Sequence, residues 1–437
     1  MKKHILLFFL TIALTVGSIY SQEIKFISKQ EVIDKVHNNN TSIKISEQNF
    51  DMAKADYRQT NAILLPSISL SHTGIATTNP LMAFGSKLNQ EILTPNDFDP
   101  ALLNNPDKIT SFATKIEVQQ PIINVDGFYQ RKAAKTKMHA VELQTVRTKD
   151  YLVFEVEKAY MQLQLAYKAV DVLKKALKTA IANKNLAENS FKQGYLQKAD
   201  VLTIEVRVLE VQNQLQNAKS NIQNASNYLS FMMNEKDTYI LHPSDSLTIS
   251  TFAFLTGETI SKERADIKAL EIVSNSYETM HKADKMAFLP RLNAFGSYEL
   301  YDDKIFQTNA NGYLVGAQLS WNVFEGSKRF GKAQKSKAEF EKSKLQYDQY
   351  LSKSNLEFNK AKRMLLDAEN KLKLTALALQ QSKESLRIRT DRFKQGLEKT
   401  SDLLMSETQY SQKQLEYYQT IFEYNYAQAY LNFLTKQ

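Results

Sequence analysis

Few side chains in this sequence are spaced for catalytic chemistry. The six histidines, His4, His37, His72, His139, His242 and His281, stand apart, and none forms an H-E-x-x-H or other close metal pair. Cysteine is absent, which removes disulfides, thiolate metal ligands and a Cys-linked lipid anchor. No phosphate loop, G-x-S-x-G elbow or dinucleotide fingerprint is found. These absences argue against an enzyme and against a bound cofactor or metal. What does recur is a turn: Phe191-Lys192-Gln193-Gly194 reappears as Phe393-Lys394-Gln395-Gly396, and an aspartate, Asp200 or Asp402, follows six residues after each glycine. Gly194 and Gly396 suit the left-handed position that ends a helix. Asp200 and Asp402 suit the first turn of the next helix, where a carboxylate accepts free backbone N–H groups.

The turn belongs to a longer duplication. Ile43-Lys44-x-x-Glu47 recurs as Ile267-Lys268-x-x-Glu271, and Leu65-Pro66 as Leu289-Pro290, both 224 positions on. Past the turn the offset is 202: Leu202 falls on Leu404, Glu205 on Glu407, and Ala225-x-x-Tyr228-Leu229-x-Phe231 on Ala427-x-x-Tyr430-Leu431-x-Phe433. The difference places an extra loop in the first copy, roughly Ile75 to Thr110, whose Pro80, Pro95, Pro100 and Pro106 predict an irregular, exposed segment.

Around that loop, Ile68 and Leu70 alternate with Ser67, Ser69 and Ser71, and Phe112, Ile116 and Val118 with Ala113, Lys115, Glu117 and Gln119. In the second copy Tyr313, Val315, Ala317, Leu319 and Trp321 oppose Gln318 and Ser320, while Leu292, Ala294 and Tyr298 oppose Asn293, Ser297 and Glu299. This alternation predicts four strands of about 10 residues, the length of a transmembrane β-strand or of a half-buried soluble sheet. Beyond the strands the spacing becomes helical. Leu152, Val156, Tyr160, Leu163, Tyr167, Val170, Leu173, Leu177 and Ile181 step by three or four, as do Phe358, Ala361, Leu365, Ala368, Leu372, Ala376 and Leu379. The proline-free stretch 128–192 predicts a helix on the order of 100 Å long.

The expected organisation is a first repeat over 22–234, with a hairpin at about 63–120, a long helix at about 128–192 and a second helix at about 198–234. A linker follows at 235–262, holding Pro243 and Gly257. The second repeat covers 263–437, with a hairpin at about 290–323 and helices at about 327–394 and 399–435. The two shorter helices of each copy add up to the length of the long one, so each copy predicts two helical columns and one hairpin.

The amino terminus, Met1-Lys2-Lys3 followed by an apolar run from Ile5 to Val16 and the small residues Gly17, Ser18 and Ser21, reads as a signal peptide over 1–21. No later apolar run reaches 18 residues, so any membrane crossing must use strands. Four strands cannot close a barrel and open edges are not tolerated in lipid, so oligomerisation is expected. Three copies would supply twelve strands and twelve helical columns. The net charge of +9 is interleaved with acids along the helices rather than clustered with aromatics, which argues against a nucleic-acid partner.

The leader, the duplication, the paired Leu-Pro strand starts, the two Phe-x-x-Gly-x-x-x-x-x-Asp turns and Trp321-Asn322-Val323-Phe324-Glu325-Gly326, taken in order, resemble the TolC family of outer-membrane efflux channels over about residues 28–436. The resemblance implies a mainly α fold with a small transmembrane β part: a homotrimeric 12-stranded β-barrel in outer-membrane lipid, continuous with a 12-helix α-barrel in the periplasm. It implies an exit duct for a tripartite efflux pump or type I secretion system. The partners would be a periplasmic adaptor and an inner-membrane pump or ABC transporter, with 235–262 and the chain start near 22–40 in a belt around the helices. By the same resemblance Gly194 and Gly396 lie at the periplasmic tips that touch the adaptor, and Asp200 and Asp402 contribute to the closed aperture. The family's tyrosine, arginine and second aspartate around the second tip are replaced here by Phe393, Glu398 and Met405. That tyrosine–arginine latch is not kept.

Two readings of Asp200 and Asp402, aperture and helix cap, therefore stand side by side. Tyr313 and Trp321 flank one strand and fit either an interfacial aromatic girdle or ordinary packing. Tyr417, Tyr418, Tyr424, Tyr426 and Tyr430 fit helix packing. A different class of function, a soluble periplasmic coiled-coil scaffold capped by a small sheet, fits the same periodicities but needs no lipid-facing band.

Overall fold

The computed structural model describes residues 23–236, 239–250 and 259–436; the expected leader and Gly257 of the expected linker lie outside them. The elements are β1 (Glu23–Ile27), α1 (Lys29–Asn39), α2 (Thr41–Gln59), β2 (Ser67–Thr77), α3 (Pro80–Asn89), α4 (Pro100–Asn104), β3 (Ile109–Ile123), α5 (Val125–Lys192), α6 (Lys198–Met233), β4 (Tyr239–Pro243), α7 (Ala265–Met286), β5 (Arg291–Asp302), β6 (Ala310–Ser320), α8 (Lys328–Lys394) and α9 (Thr400–Thr435). The protein is mainly helical with a small strand part. It divides into a strand-bearing unit, Glu47–Gln144 with Ala265–Leu351, and a helical unit, Met1–Ser46 with Thr145–Arg264 and Ser352–Gln437.

In the strand-bearing unit β2, β3, β5 and β6 form one antiparallel sheet in that order. Directly opposed residues of an antiparallel pair share a face, so the register decides what each face carries. Ile68 meets Val118, Leu70 meets Ile116, Ile116 meets Tyr298 and Tyr298 meets Tyr313. One apolar band thus runs across all four strands, and most of it is exposed: Leu70 at 71% and Val315 at 75%. The other face carries Ser69, Glu117, Ser297 and Glu299, with Lys115 between Glu117 at 3.0 Å and Glu299 at 3.4 Å.

The helices beneath are tied to this sheet by buried polar contacts. Asp126, in the first turn of α5, is buried and accepts Nε and Nη2 of Arg291 at the start of β5 at 3.1 and 2.5 Å. Arg131 reaches the Tyr57 hydroxyl at 2.9 Å and lies over its ring, joining α5 to α2. Small polar residues of α8 pack on α7: Ser336 against His281 at 3.0 Å and Ser343 against Ser274 at 3.0 Å.

The segment expected to be irregular is instead folded. It holds α3, a 3-10 turn at Pro95–Phe98, and α4. Each begins with a proline, which pre-sets the first helical residue, preceded by a polar cap. Asn79 accepts the Met82 N–H at 3.2 Å and Asp99 accepts the Ala101 N–H at 2.8 Å, while Asp97 accepts the Thr94 N–H at 2.7 Å. Three of the four prolines that read as breakers, Pro80, Pro95 and Pro100, are helix starts.

In the helical unit the centre is an apolar cluster containing Val156, Tyr160, Leu163, Leu229, Met233 and Leu241. It is closed by a parallel pair that periodicity did not announce: β1 and β4 align from Glu23 opposite Tyr239 to Ile27 opposite Pro243. Two tyrosines of α5 cap the pair with hydrogen bonds, Tyr160 to the Ile27 carbonyl at 3.1 Å and Tyr167 to the Leu241 carbonyl at 3.0 Å. Between Phe358 and Thr375 of α8 the buried positions are Phe358, Ala361, Leu365, Ala368, Leu372 and Thr375, so the expected stripe drifts: Thr375 is covered and Ala376 is exposed. The covered small residues Ala361, Ala368, Thr375 and Ser382 lie seven apart, the repeat of a left-handed supercoil.

Two buried polar groups hold this unit. Arg264 is 2% exposed and donates to the Leu434 carbonyl near the end of α9 at 3.1 Å and to Ser354 Oγ on α8 at 3.0 Å. Lower down, Glu407 of α9 is 1% exposed; one carboxyl oxygen accepts Asn183 Nδ2 of α5 at 2.8 Å and the other has no partner. Burial pushes the Glu407 carboxyl up, against the opposing Asn183 hydrogen bond and Arg207 charge.

Replacing Arg264 by Met is expected to cost about 1–3 kcal/mol by stripping two buried acceptors of a donor, and Arg264→Lys to recover at most one of the two bonds. An unchanged thermal midpoint by circular dichroism would contradict this. Glu407 gives the opposite sign at neutral pH. A carboxyl whose folded-state pKa is raised contributes stability below the ordinary glutamate range and loses it as pH rises through the raised value. Glu407→Gln should therefore raise the melting temperature at about pH 8 and leave it level at about pH 4; an equal change at both refutes the assignment.

Candidate functional site

Both glycine turns are built alike. Gly194 has φ +81° and Gly396 φ +73°, and the space beside each is open, so conformation and not crowding selects glycine there. The two carbonyl-satisfying bonds of a helix end are present at each: Gly194 N–H to Phe191 O at 3.0 Å with Tyr195 N–H to Ser190 O at 2.9 Å, and Gly396 N–H to Phe393 O at 3.0 Å with Leu397 N–H to Arg392 O at 3.0 Å. The residues just past the glycines, Tyr195 and Leu397, are 78% and 62% exposed.

The two aspartates are used differently. Asp200 accepts the Gln197 N–H at 3.2 Å, the capping role. Asp402 occupies the same place in α9, where no side chain caps the helix; its carboxylate lies 3.9 Å from Arg389 and its side chain is 46% exposed. Beside it stands a clamp that sequence reading did not single out. Glu398 accepts Arg389 at 2.5 Å and Arg392 Nε at 2.8 Å, and Arg392 also donates to the Leu397 carbonyl at 3.2 Å. Glu398 is 10% exposed despite its place in a turn. In the first turn the matching positions hold Ala187, Ser190 and Leu196, and Leu196 packs against the small apolar cluster of Ala187, Val201, Ile204 and Leu404. The spacing of Arg389, Arg392 and Glu398 about a glycine was the available signal.

On the sheet, Tyr313 is 81% exposed on the apolar face and lies opposite Tyr298 near the end of β6 remote from the helices. Trp321, 59% exposed, follows the other end of β6 and donates to the Phe288 carbonyl at 3.0 Å. Eight positions separate them, about 26 Å at ~3.3 Å per extended residue, against about 25 Å for the lipid-facing band of a transmembrane β-barrel. The histidines remain separate: His72 Nδ1 meets Thr114 Oγ1 at 2.8 Å and His281 meets Ser336. Among the described residues no His, Asp and Glu side chains gather in a group able to hold a metal, and no helix is long and apolar enough to cross a membrane.

Residues 32–235 and 258–435 match the family described as outer membrane efflux protein. No curated protein sequence matches. Among solved structures, CusC, studied for its folding and transmembrane channel formation, is similar with a TM-score of 0.81 at 14% identity, over 96% of this chain and 95% of that one. The CmeC outer membrane channel of Campylobacter jejuni gives a TM-score of 0.78 at 16% identity, over 93% and 85%. The outer membrane protein VceC of Vibrio cholerae gives 0.78 at 16%, over 93% and 95%. At such identities the likeness is one of fold, and the family match, which takes in most of the chain, says more: this protein belongs to the outer membrane efflux protein family.

Proposed function

We propose that the chain is one protomer of a trimeric exit duct whose three four-stranded sheets join into a 12-stranded barrel. The observation that carries this reading is the sheet itself: its apolar face is exposed at Ile68, Leu70, Ile116, Val118, Tyr298, Tyr313, Val315 and Leu319, and β2 and β6 each pair on one side only. In lipid such edges must be paired, and a neighbour's edge strand is the available partner. The same symmetry would gather the helices of three protomers into a periplasmic tube, each protomer contributing the two copies that its duplicated sequence encodes. A soluble scaffold is the weaker reading, since it leaves Leu70, Tyr313, Val315 and Leu319 in water.

The duct is passive on this reading. Nothing in the sequence binds nucleotide, so drive would come from an inner-membrane pump or ABC transporter through a periplasmic adaptor. The exposed Tyr195 and Leu397 beside the Gly194 and Gly396 turns offer the adaptor its contact. Asp402, half-buried and with no capping role, is the better aperture candidate of the two aspartates, because Asp200 is spent on its own helix start. Three Asp402 carboxylates around a threefold axis would favour cations, and Arg389 at 3.9 Å tempers that field. Tyr313 and Trp321 would mark the two lipid interfaces.

The full-length protein should sediment with outer membranes, need detergent for extraction, and run as a heat-modifiable trimer; recovery as a soluble monomer would overturn the duct. In planar bilayers, Asp402→Ala is expected to weaken divalent-cation block of single channels. Asp200→Ala should leave block unchanged and cost about 1 kcal/mol of stability, as loss of a cap does. Equal effects of the two substitutions on block would contradict the division of roles.

A further inference from the structure

The folded loop between β2 and β3 lies against one face of the sheet only, and that face is the polar one. Burial alternates at the end of the hairpin remote from the helices. Ile109 and Ser111 of β3 are buried at 9% and 6% exposure, while Thr110 and Phe112 between and beside them are less covered. On the paired strand Ile75 and Thr77 are half-buried, whereas Gly74 and Ala76 are exposed. Toward the helices the polar face is open on β2, where Ser67, Ser69 and Ser71 are all exposed. The cover is therefore local. It comes from α3, which packs on β3 through its buried Ala83, Ser86 and Gln90, and Gln90 Nε2 donates to the Thr110 carbonyl at 2.9 Å.

The covering segment is built to keep its shape. Lys87 and Asp97 pair at 2.7 Å, and Phe84 meets Phe98 edge to face. The Lys87 ammonium and the Thr94 donors hold the Asp97 carboxyl down at about 2. By contrast β5 and β6 are joined by only residues 303–309.

In a barrel that faces lipid with its apolar side, the polar face lines the lumen. We infer that residues 80–106 form a lid folded inward over the outer mouth of the duct, giving the barrel a constriction there. The inference rests on the barrel reading above. A bulky solute in the lumen must then displace α3 before it leaves, whereas a small one passes beside it.

The chain has no cysteine, so a single introduced thiol reports access cleanly. Ser69→Cys, on the polar face below the lid, is labelled in intact cells from outside, with a small hydrophilic maleimide and with a polyethylene-glycol maleimide of several kilodaltons. The comparison is between the native loop and a variant whose residues 80–106 are replaced by a linker as short as 303–309. The small reagent should label both, and the large one should label the lidless variant at least an order of magnitude faster. Should the deletion impair assembly, Ala83→Glu, which forces a charge into the covered face of α3, should open access in the same way. Equal labelling by the large reagent in all forms, or equal exclusion from all, overturns the lid. Failure of the small reagent in every form sinks the barrel reading itself, and the lid with it.

Discussion

The backbone N–H and C=O groups along the outer sides of β2 and β6 are the constraint on which everything else turns. Within the chain the sheet ends there, yet its apolar face crosses all four strands, from Ile68 and Leu70 on β2 to Tyr313 and Val315 on β6. In water the apolar face is costly and the edges are tolerable; in lipid the costs reverse, because an unpaired amide in hydrocarbon finds no water to replace its partner. On the proposed reading, lipid covers the apolar face and a neighbouring copy pairs the edges. The helices carry no such demand, since each satisfies its own backbone.

Much of this was legible in the sequence, for a simple reason. Alternation at Ile68 and Leu70, or at Tyr313 to Trp321, is a local property of a strand, and so is the step of three or four from Leu152 to Leu173. What escaped was what depends on partners far along the chain. The β1 and β4 pair joins residues more than 200 positions apart and each strand is only five residues long, too short for periodicity to declare. The drift from Ala376 to Thr375 on α8 follows the seven-residue spacing of its own covered small residues, Ala361, Ala368, Thr375 and Ser382, which an eye matching steps of three and four does not fix. The loop at 75–110 was misread because proline has two meanings. In isolation it breaks helices, but after Asn79, Thr94 or Asp99 it starts them.

The candidate site was legible in position and not in role. Gly194 and Gly396 announced their turns, and both adopt the left-handed conformation that the residue type implies. Asp200 and Asp402 looked equivalent because they align. The difference arises from residues around them that do not align: Arg389, Arg392 and Glu398 in the second turn face Ala187, Ser190 and Leu196 in the first. One tip is closed by apolar packing and the other by a two-arginine clamp on a nearly buried carboxylate. Asp402 stands at the edge of that clamp, 3.9 Å from Arg389. Duplicated sequence has thus diverged where a threefold assembly would bring six tips together.

The claim that three protomers share one barrel through their edge strands is open to a direct measurement, again helped by the absence of native cysteine. One cysteine on β2 at Ser71 is combined in turn with one at each β6 position from Gly312 to Gln318, and membranes are oxidised before denaturing electrophoresis. Edge pairing predicts disulfides at neighbouring registers, with covalent species that stop at three protomers. No intermolecular link at any register, or a ladder that continues past three, would contradict it.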